Sequence, residues 1–261
     1  FGRWADEDSP IKCKVLHLFS AHGSASDLIA GSFQELGDEV SDSSITGQAL
    51  YELLDPAGWE RQLSSLSSAP PDLLLLTPPC LTYLKDNFDG IVYRGPRRSE
   101  HDGIDKPRGE VKQRIRTENL CLKRCCEAFQ KAVEINLAVA LILPYGDHLV
   151  FNPAAHNIVY AKITGEVEFT HVNIEEKDGS GLAVFSNVPP IEVTGSDFRE
   201  RVKNLVKLLR IGAKWVSSCS GKAFVPELDV HRGAPAPHSG GVEMPWHFQT
   251  PDIGLSQGGI E

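Results

Sequence analysis

The chain has 261 residues, of which 41% are hydrophobic and 23% charged, and its formal net charge is −9. This balance fits one large globular domain, or at most two small ones, and excludes a disordered chain. No apolar run approaches the roughly 20 residues that span a bilayer, and the acidic charge weighs against attraction of nucleic acid by the whole surface.

The first part of the chain alternates between strand and helix patterns. After an acidic leader, residues 1–11, a tight turn joins a short apolar strand to a helix that Gly37 is suited to end. The predicted elements are a strand at Lys14–Phe19, a helix from Ala25 to Leu36, a strand at Glu39–Ile45, a helix or strand at Ala49–Leu54, a helix at Pro56–Leu66 and a strand at Asp72–Leu76.

The alternation resumes after a long polar segment, residues 81–111. The predicted elements are a helix at Val111–Ile135, a strand at Leu137–Leu143 stopped by Pro144, a helix at Pro153–Ile163, strands at Glu166–Ile174 and Leu182–Ser186, and a helix at Ser196–Ile211 capped by Ser196 or Asp197. Residues 224–261 are rich in Pro, Gly and His and predict an extended or disordered tail. Residues 12–223 are therefore predicted to be an α/β domain with a doubly wound, mostly parallel sheet.

Two strand ends carry residues suited to chemistry, because ligands bind at the carboxyl ends of strands in such a sheet. The turn Ser20–Ser24 presents backbone N–H groups at a helix start, which suits a nucleotide or a carboxylate; the alternative is a turn needed only for packing. Pro78 and Pro79 stiffen a second turn and direct Cys80, a candidate nucleophile; the alternative is a buried structural cysteine.

Together, the pattern Phe19-Ser20-x-x-Gly23-Ser24 and the later Pro78-Pro79-Cys80 resemble two motifs of the cytosine-C5 DNA methyltransferase family, in order and in spacing. The resemblance implies a Rossmann-like methyltransferase core that binds S-adenosyl-L-methionine (AdoMet). It implies that Cys80 attacks C6 of a cytosine taken out of its stack. It places the following residues at the cofactor: Phe19, Ser20, Gly23, Ser24, Pro78 and the nearest carboxylates, Asp42 and Asp55.

The segment after Cys80 is locally basic. In the family, the loop after the cysteine closes over the nucleic acid, and cations there would neutralise phosphates; the alternative is a solvated loop. The candidate DNA contacts are Arg94, Arg97, Arg98, Lys106, Arg108, Lys112, Arg114 and Arg116.

The chain departs from the family pattern at three places, which are the cofactor turn, the position of the family's glutamate and the later Gln-x-Arg motif. Ala21 and His22 stand where the cofactor turn has a further glycine, and Pro144-Tyr145 stands where the family places a glutamate, with Asp147 a few residues late. The Gln-x-Arg motif is missing from the segment 169–176. Loss of a general acid typically costs about a hundredfold to ten-thousandfold in rate.

Three functions therefore stay open. The first is an active AdoMet-dependent methyltransferase that acts on cytosine in DNA or, as the less favoured substrate, in RNA. The second is a catalytically inactive relative with a structural or partner-binding role in a larger protein. The third is a hydrolase in which His22 or His148 activates Cys80.

The six cysteines have neither the density of a disulfide scaffold nor the spacing of a zinc site, and the histidines are far apart. The sequence thus predicts no metal site. It favours a reducing intracellular compartment, nucleus or cytoplasm, with Cys121, Cys125 and Cys126 as buried small hydrophobes and His17 as a core residue.

Overall fold

The computed structural model describes residues 12–20, 24–44, 47–80, 109–146, 170–175, 180–188 and 193–218. All of these belong to one unit, Phe1–Ala223. The acidic leader, the helix predicted at Pro153–Ile163 and the tail predicted from Phe224 lie outside the described residues.

The described part of the chain contains six strands and five helices. The strands are β1 (Lys14–Ser20), β2 (Glu39–Ser44), β3 (Leu73–Leu76), β4 (Ala138–Gly146), β5 (Thr170–Glu175) and β6 (Ser180–Ser186). The helices are α1 (Ser24–Glu35), α2 (Gly47–Leu54), α3 (Pro56–Ser68), α4 (Glu110–Glu134) and α5 (Phe198–Ser218). The predicted alternation is confirmed over these ranges, and the segment Ala49–Leu54 is helical.

Local sequence signals determine where several helices begin and end. Asp55 caps α3, since its Oδ2 accepts a hydrogen bond from the Gly58 N–H at 2.8 Å. Asp197 accepts the Glu200 N–H at 2.8 Å in the same way ahead of α5. Gly37 follows α1 with φ of 79°, a conformation that glycine adopts without steric cost.

The six strands form one sheet in the order β2-β1-β3-β4-β6-β5. β1 is parallel to β2 and β3, and β3 is parallel to β4, whereas β6 is antiparallel to both of its neighbours. The sheet is mostly parallel and is compatible with a Rossmann-like fold. After β1 the chain adds β2 on one side of β1 and then β3 on its other side. The boundary between β1 and β3 is therefore the topological switch point, where ligands bind in open α/β sheets.

Apolar clusters cover both faces of the sheet. Helices α2, α3 and α4 pack on one face, to which β3 contributes Leu74 and Leu76. Helices α1 and α5 pack on the other, to which β3 contributes Leu73 and Leu75. All four leucines are fully buried, because neighbouring strand residues point to opposite faces and both faces are covered.

One predicted strand boundary is wrong. The sequence predicts that Pro144 stops the fourth strand, but β4 continues to Gly146 and pairs Pro144 with Leu182 of β6. The last pair between β3 and β4 is Leu76 with Leu141, so beyond that point β4 has a neighbour on one side only among the described strands. Proline is tolerated there because no second described strand requires its missing N–H.

A buried ion pair ties α5 to the amino end of the sheet. Asp38 Oδ1 accepts hydrogen bonds from Arg210 Nε at 2.9 Å and from the Cys13 N–H at 2.8 Å. The Asp38 side chain is 0% exposed and that of Arg210 is 15% exposed. Removing one partner of such a pair leaves a poorly solvated charge behind.

We therefore expect Asp38→Ala to lower the free energy of unfolding by about 3–5 kcal/mol, measured by urea denaturation. The matched control is Glu35→Ala, which breaks the exposed pair between Glu35 and Lys203 and should change stability little because water screens that pair. Equal stability of the two variants would contradict the importance of the buried pair.

Candidate functional site

The turns that follow β1 and β3 meet at the switch point. We refer to residues 19–24 as the β1 turn and to residues 77–80 as the β3 turn; residues 21–23 lie outside the described residues. The Thr77 N–H donates to Leu18 O at 3.2 Å. Its hydroxyl donates to Phe19 O at 3.4 Å and lies 2.7 Å from His17 Nε2. Direct hydrogen bonds thus join the two motifs that were singled out in the sequence.

The Thr77 hydroxyl lies between two groups of β1. It is 2.7 Å from His17 Nε2 and 3.4 Å from Phe19 O, and the direction of the shorter bond is set by the tautomer of His17. His17 is 0% and Thr77 7% exposed, so this chain of hydrogen bonds runs through the interior, and the prediction that His17 is a core residue is confirmed.

Phe19 is an extra residue in the ladder between β1 and β2. Leu18 pairs with Ser43 and Ser20 pairs with Ser44, which leaves no residue opposite Phe19. Its φ is 59°, in the left-handed region that residues other than glycine seldom adopt. Such a conformation costs about 1–3 kcal/mol and persists only where its surroundings impose it. The β1 turn therefore begins at a strained bulge.

Trp59 of α3 supports this bulge. Its ring lies 5.9 Å from the ring of Phe19, centroid to centroid. The indole Nε1–H donates to Glu127 at 2.9 Å, and the Arg124 guanidinium lies 5.5 Å from the indole ring. Arg124 also donates to Asp55 O at 3.4 Å, and burial lowers the pKa of Arg124 from its usual value. No sequence motif marks these residues, which join α3 and α4 behind the β1 turn.

Cys80 lies half-buried at the end of the β3 turn. Its Sγ donates to Pro78 O at 3.3 Å, and its side chain packs against the apolar cluster beneath α4. Pro78 is buried and Pro79 is partly buried. The histidines that a hydrolase would require, His22 and His148, lie outside the described residues.

The other described cysteines are buried thiols. Burial raises the pKa of Cys13 and that of Cys121 to about 12. Burial, followed by the neighbouring thiols, raises the pKa of Cys125 well above its usual value. Cys126 is also buried. Cys13, Cys121 and Cys125 therefore stay protonated and are poor nucleophiles. The burial of Cys121, Cys125 and Cys126 confirms their prediction as packing residues.

We expect iodoacetamide at about pH 8 to alkylate Cys80 in the native chain well before Cys13, Cys121 or Cys125, because the thiolate is the reactive form and burial suppresses it. Peptide mapping by mass spectrometry assigns each modified thiol, and Cys80→Ser should remove the early signal. Alkylation of Cys125 as fast as that of Cys80 would contradict this order.

The two carboxylates predicted at the cofactor lie in different places. Asp42 is in β2, opposite His17 in the register with β1. It follows the β1 turn by about 20 residues, the separation at which an acid holds a ribose in dinucleotide-binding sheets. Asp55 instead lies between two helices and caps α3 through Gly58. Asp55 thus serves as a helix cap, whereas Asp42 lies on the strand beside β1.

Part of the basic segment lies on a helix. Helix α4 begins at Glu110, so Lys112, Arg114 and Arg116 lie in its first turns and are exposed. Because α4 connects the parallel strands β3 and β4, its amino end lies at the carboxyl edge of the sheet, the edge of the β3 turn. The remaining candidates lie outside the described residues: Arg94, Arg97, Arg98, Lys106 and Arg108.

No carboxylate stands at the described end of β4, which reads Leu143-Pro-Tyr-Gly146, and Asp147 lies outside the described residues. A carboxylate that the sequence analysis missed is Glu118, which is 2% exposed in the amino-terminal half of α4. Its spacing of three and four residues from Cys121 and Leu122 places it on the buried stripe of the helix. That spacing is the sequence signal from which the burial of Glu118 could have been predicted.

Within the described ranges, no helix is long and apolar enough to cross a bilayer. In the same ranges, no three His, Cys, Asp or Glu side chains are grouped to hold a metal ion. The chain matches no protein-family model, no curated protein and no solved structure.

Proposed function

We propose that the chain is an AdoMet-dependent methyltransferase domain that acts on cytosine in DNA, with Cys80 as the nucleophile. The observation that carries this proposal is the bonding of Thr77 to Leu18 and Phe19 at the switch point. The two motifs that resemble the cytosine-C5 family are far apart in the sequence, yet they adjoin at the edge where such sheets bind ligands.

The residues around the β1 turn fit the chemistry of AdoMet, which supplies a methyl group when bound. A ribose needs a hydrogen-bond acceptor, and Asp42 lies on the strand beside β1. A carboxylate needs N–H donors, and α1 begins at Ser24, immediately after the turn. Phe19 and Ser20, the last residues of β1, are buried at the same edge.

The reaction would pass through a covalent bond to Cys80. The Cys80 thiolate would add to C6 of cytosine, and C5 would then take the methyl group from the sulfonium of AdoMet, which would leave as the neutral thioether. Loss of the C5 proton to solvent and expulsion of the Cys80 thiolate restore the ring. The base must leave its stack to be reached. The exposed Lys112, Arg114 and Arg116 suit the phosphates beside it.

A second candidate is a domain that retains the fold and has lost catalysis, with a structural or partner-binding role in a larger protein. The end of β4 favours it, because Pro144 and Tyr145 stand where the resemblance requires a glutamate. The packing of Cys80 against an apolar cluster favours it as well, since a structural cysteine behaves as a small hydrophobic residue.

Transfer of labelled methyl groups from AdoMet to nucleic acid tests the proposal. The substrates are a DNA duplex, the corresponding RNA, and the same DNA with every cytosine already methylated at C5. We expect incorporation into the unmodified DNA and none into the methylated control, where C5 is occupied. AdoMet binding without incorporation into any substrate would favour the second candidate.

A further inference from the structure

Thr77 is bonded to three successive residues of β1. Its N–H reaches Leu18 O at 3.2 Å, its hydroxyl reaches Phe19 O at 3.4 Å, and His17 Nε2 lies 2.7 Å from the hydroxyl oxygen. Valine, which has nearly the same shape, would retain only the first of these bonds. The hydroxyl is thus a separable part of the connection between the two turns.

The strained residue at the start of the β1 turn depends on this hydroxyl. Phe19 has no residue opposite it in β2, and the last pair between β1 and β3 is Leu18 with Leu76. Its carbonyl is therefore held by Thr77 rather than by a regular ladder. That bond and the packing of the Phe19 ring against Trp59 oppose relaxation of the left-handed backbone.

Thr77 also controls the direction of the β3 turn. Two prolines with restricted φ separate Thr77 from Cys80, and the Cys80 thiol donates to Pro78 O at 3.3 Å. The turn has little freedom to absorb a displacement at its first residue. A shift of Thr77 is therefore passed on to the thiol.

We propose that Thr77 is a positioning residue whose hydroxyl holds the backbone of Phe19 at the ligand-binding edge and, at the same time, sets the exposure of Cys80. The identity of the ligand as AdoMet rests on the proposed function. The link from Thr77 to Phe19 and Cys80 is independent of that function.

The experiment compares Thr77→Val with Thr77→Ser, which keeps the hydroxyl. Two quantities are measured, the Kd for AdoMet by calorimetry and the rate of alkylation of Cys80 without ligand. We expect valine to weaken AdoMet binding about tenfold, because the backbone of Phe19 loses the buried hydrogen bond that holds its carbonyl, and to speed alkylation of Cys80 severalfold. Serine should restore both values, and Cys125 should stay protected throughout.

The matched control is Ser186→Ala at the opposite edge of the sheet, where the Ser186 hydroxyl donates to Val139 O at 2.7 Å. It removes an equally buried hydroxyl and should leave both quantities unchanged. Thr77→Ala replaces the valine variant if the latter does not fold.

Equal values for wild type and Thr77→Val, or equal impairment of the valine and serine variants, would overturn the inference. If the wild type binds no AdoMet, the proposed cofactor is wrong, and the alkylation of Cys80 still decides the role of Thr77.

Discussion

Replacing Cys80 with alanine should lower the rate of methyl transfer to cytosine at least about a thousandfold, because the bond to C6 then lacks its nucleophile. The affinity for AdoMet should change little, since the β1 turn and Asp42 are untouched. Single-turnover transfer of labelled methyl groups to DNA measures the rate, and calorimetry measures the affinity.

The control for this variant is Cys126→Ala, which removes a buried thiol of α4. It should reduce stability and leave the rate near that of the wild type. DNA carrying 5-fluorocytosine adds an independent readout, because fluorine at C5 cannot leave as a proton does. The wild type should stay covalently attached on a denaturing gel, and Cys80→Ala should not. Methylation by Cys80→Ala at the wild-type rate would contradict the covalent route.

Raising the pH above about 9 should destabilise the fold steeply. In the unfolded chain the thiols of Cys13, Cys121 and Cys125 ionise near their ordinary pKa of 9.0, whereas burial keeps them protonated in the fold. Between pH 9.0 and about 12 the unfolded state binds fewer protons, so stability falls as pH rises. Each thiol contributes about 1.4 kcal/mol per pH unit.

Urea denaturation at a series of alkaline pH values measures this slope. Cys121→Ala should reduce the slope of the unfolding free energy against pH by the contribution of one thiol. The contributions of Cys13 and Cys125 should remain. A slope that does not change on removal of Cys121 would show that other groups control the alkaline transition.

Local patterns were sufficient to predict most of the secondary structure. The run Leu73–Leu76 predicts a strand buried on both faces because four consecutive apolar side chains have no polar face to offer water. Ser196 or Asp197 ahead of a helical pattern predicts a cap, and Asp197 provides it. The β3 turn was predicted to be at a ligand-binding edge because parallel strands of an open sheet end on the same side.

The details of the site depend on contacts between distant residues. A left-handed Phe19 contradicts the preference of its own backbone and is imposed by Thr77 and Trp59. The bond between Trp59 and Glu127 joins residues 68 positions apart, and no periodicity within α3 or α4 predicts it. The continuation of β4 through Pro144 likewise depends on β3 ending earlier, which is a property of the sheet rather than of the strand.

Calorimetric titration of AdoMet into the purified chain tests most directly the central claim, that the switch point between β1 and β3 is an AdoMet site. We expect saturable binding in the micromolar range that Asp42→Ala weakens and Asp55→Ala does not, apart from its effect on stability. Absence of binding at millimolar AdoMet would contradict the cofactor site and, with it, the proposal that the chain is a methyltransferase.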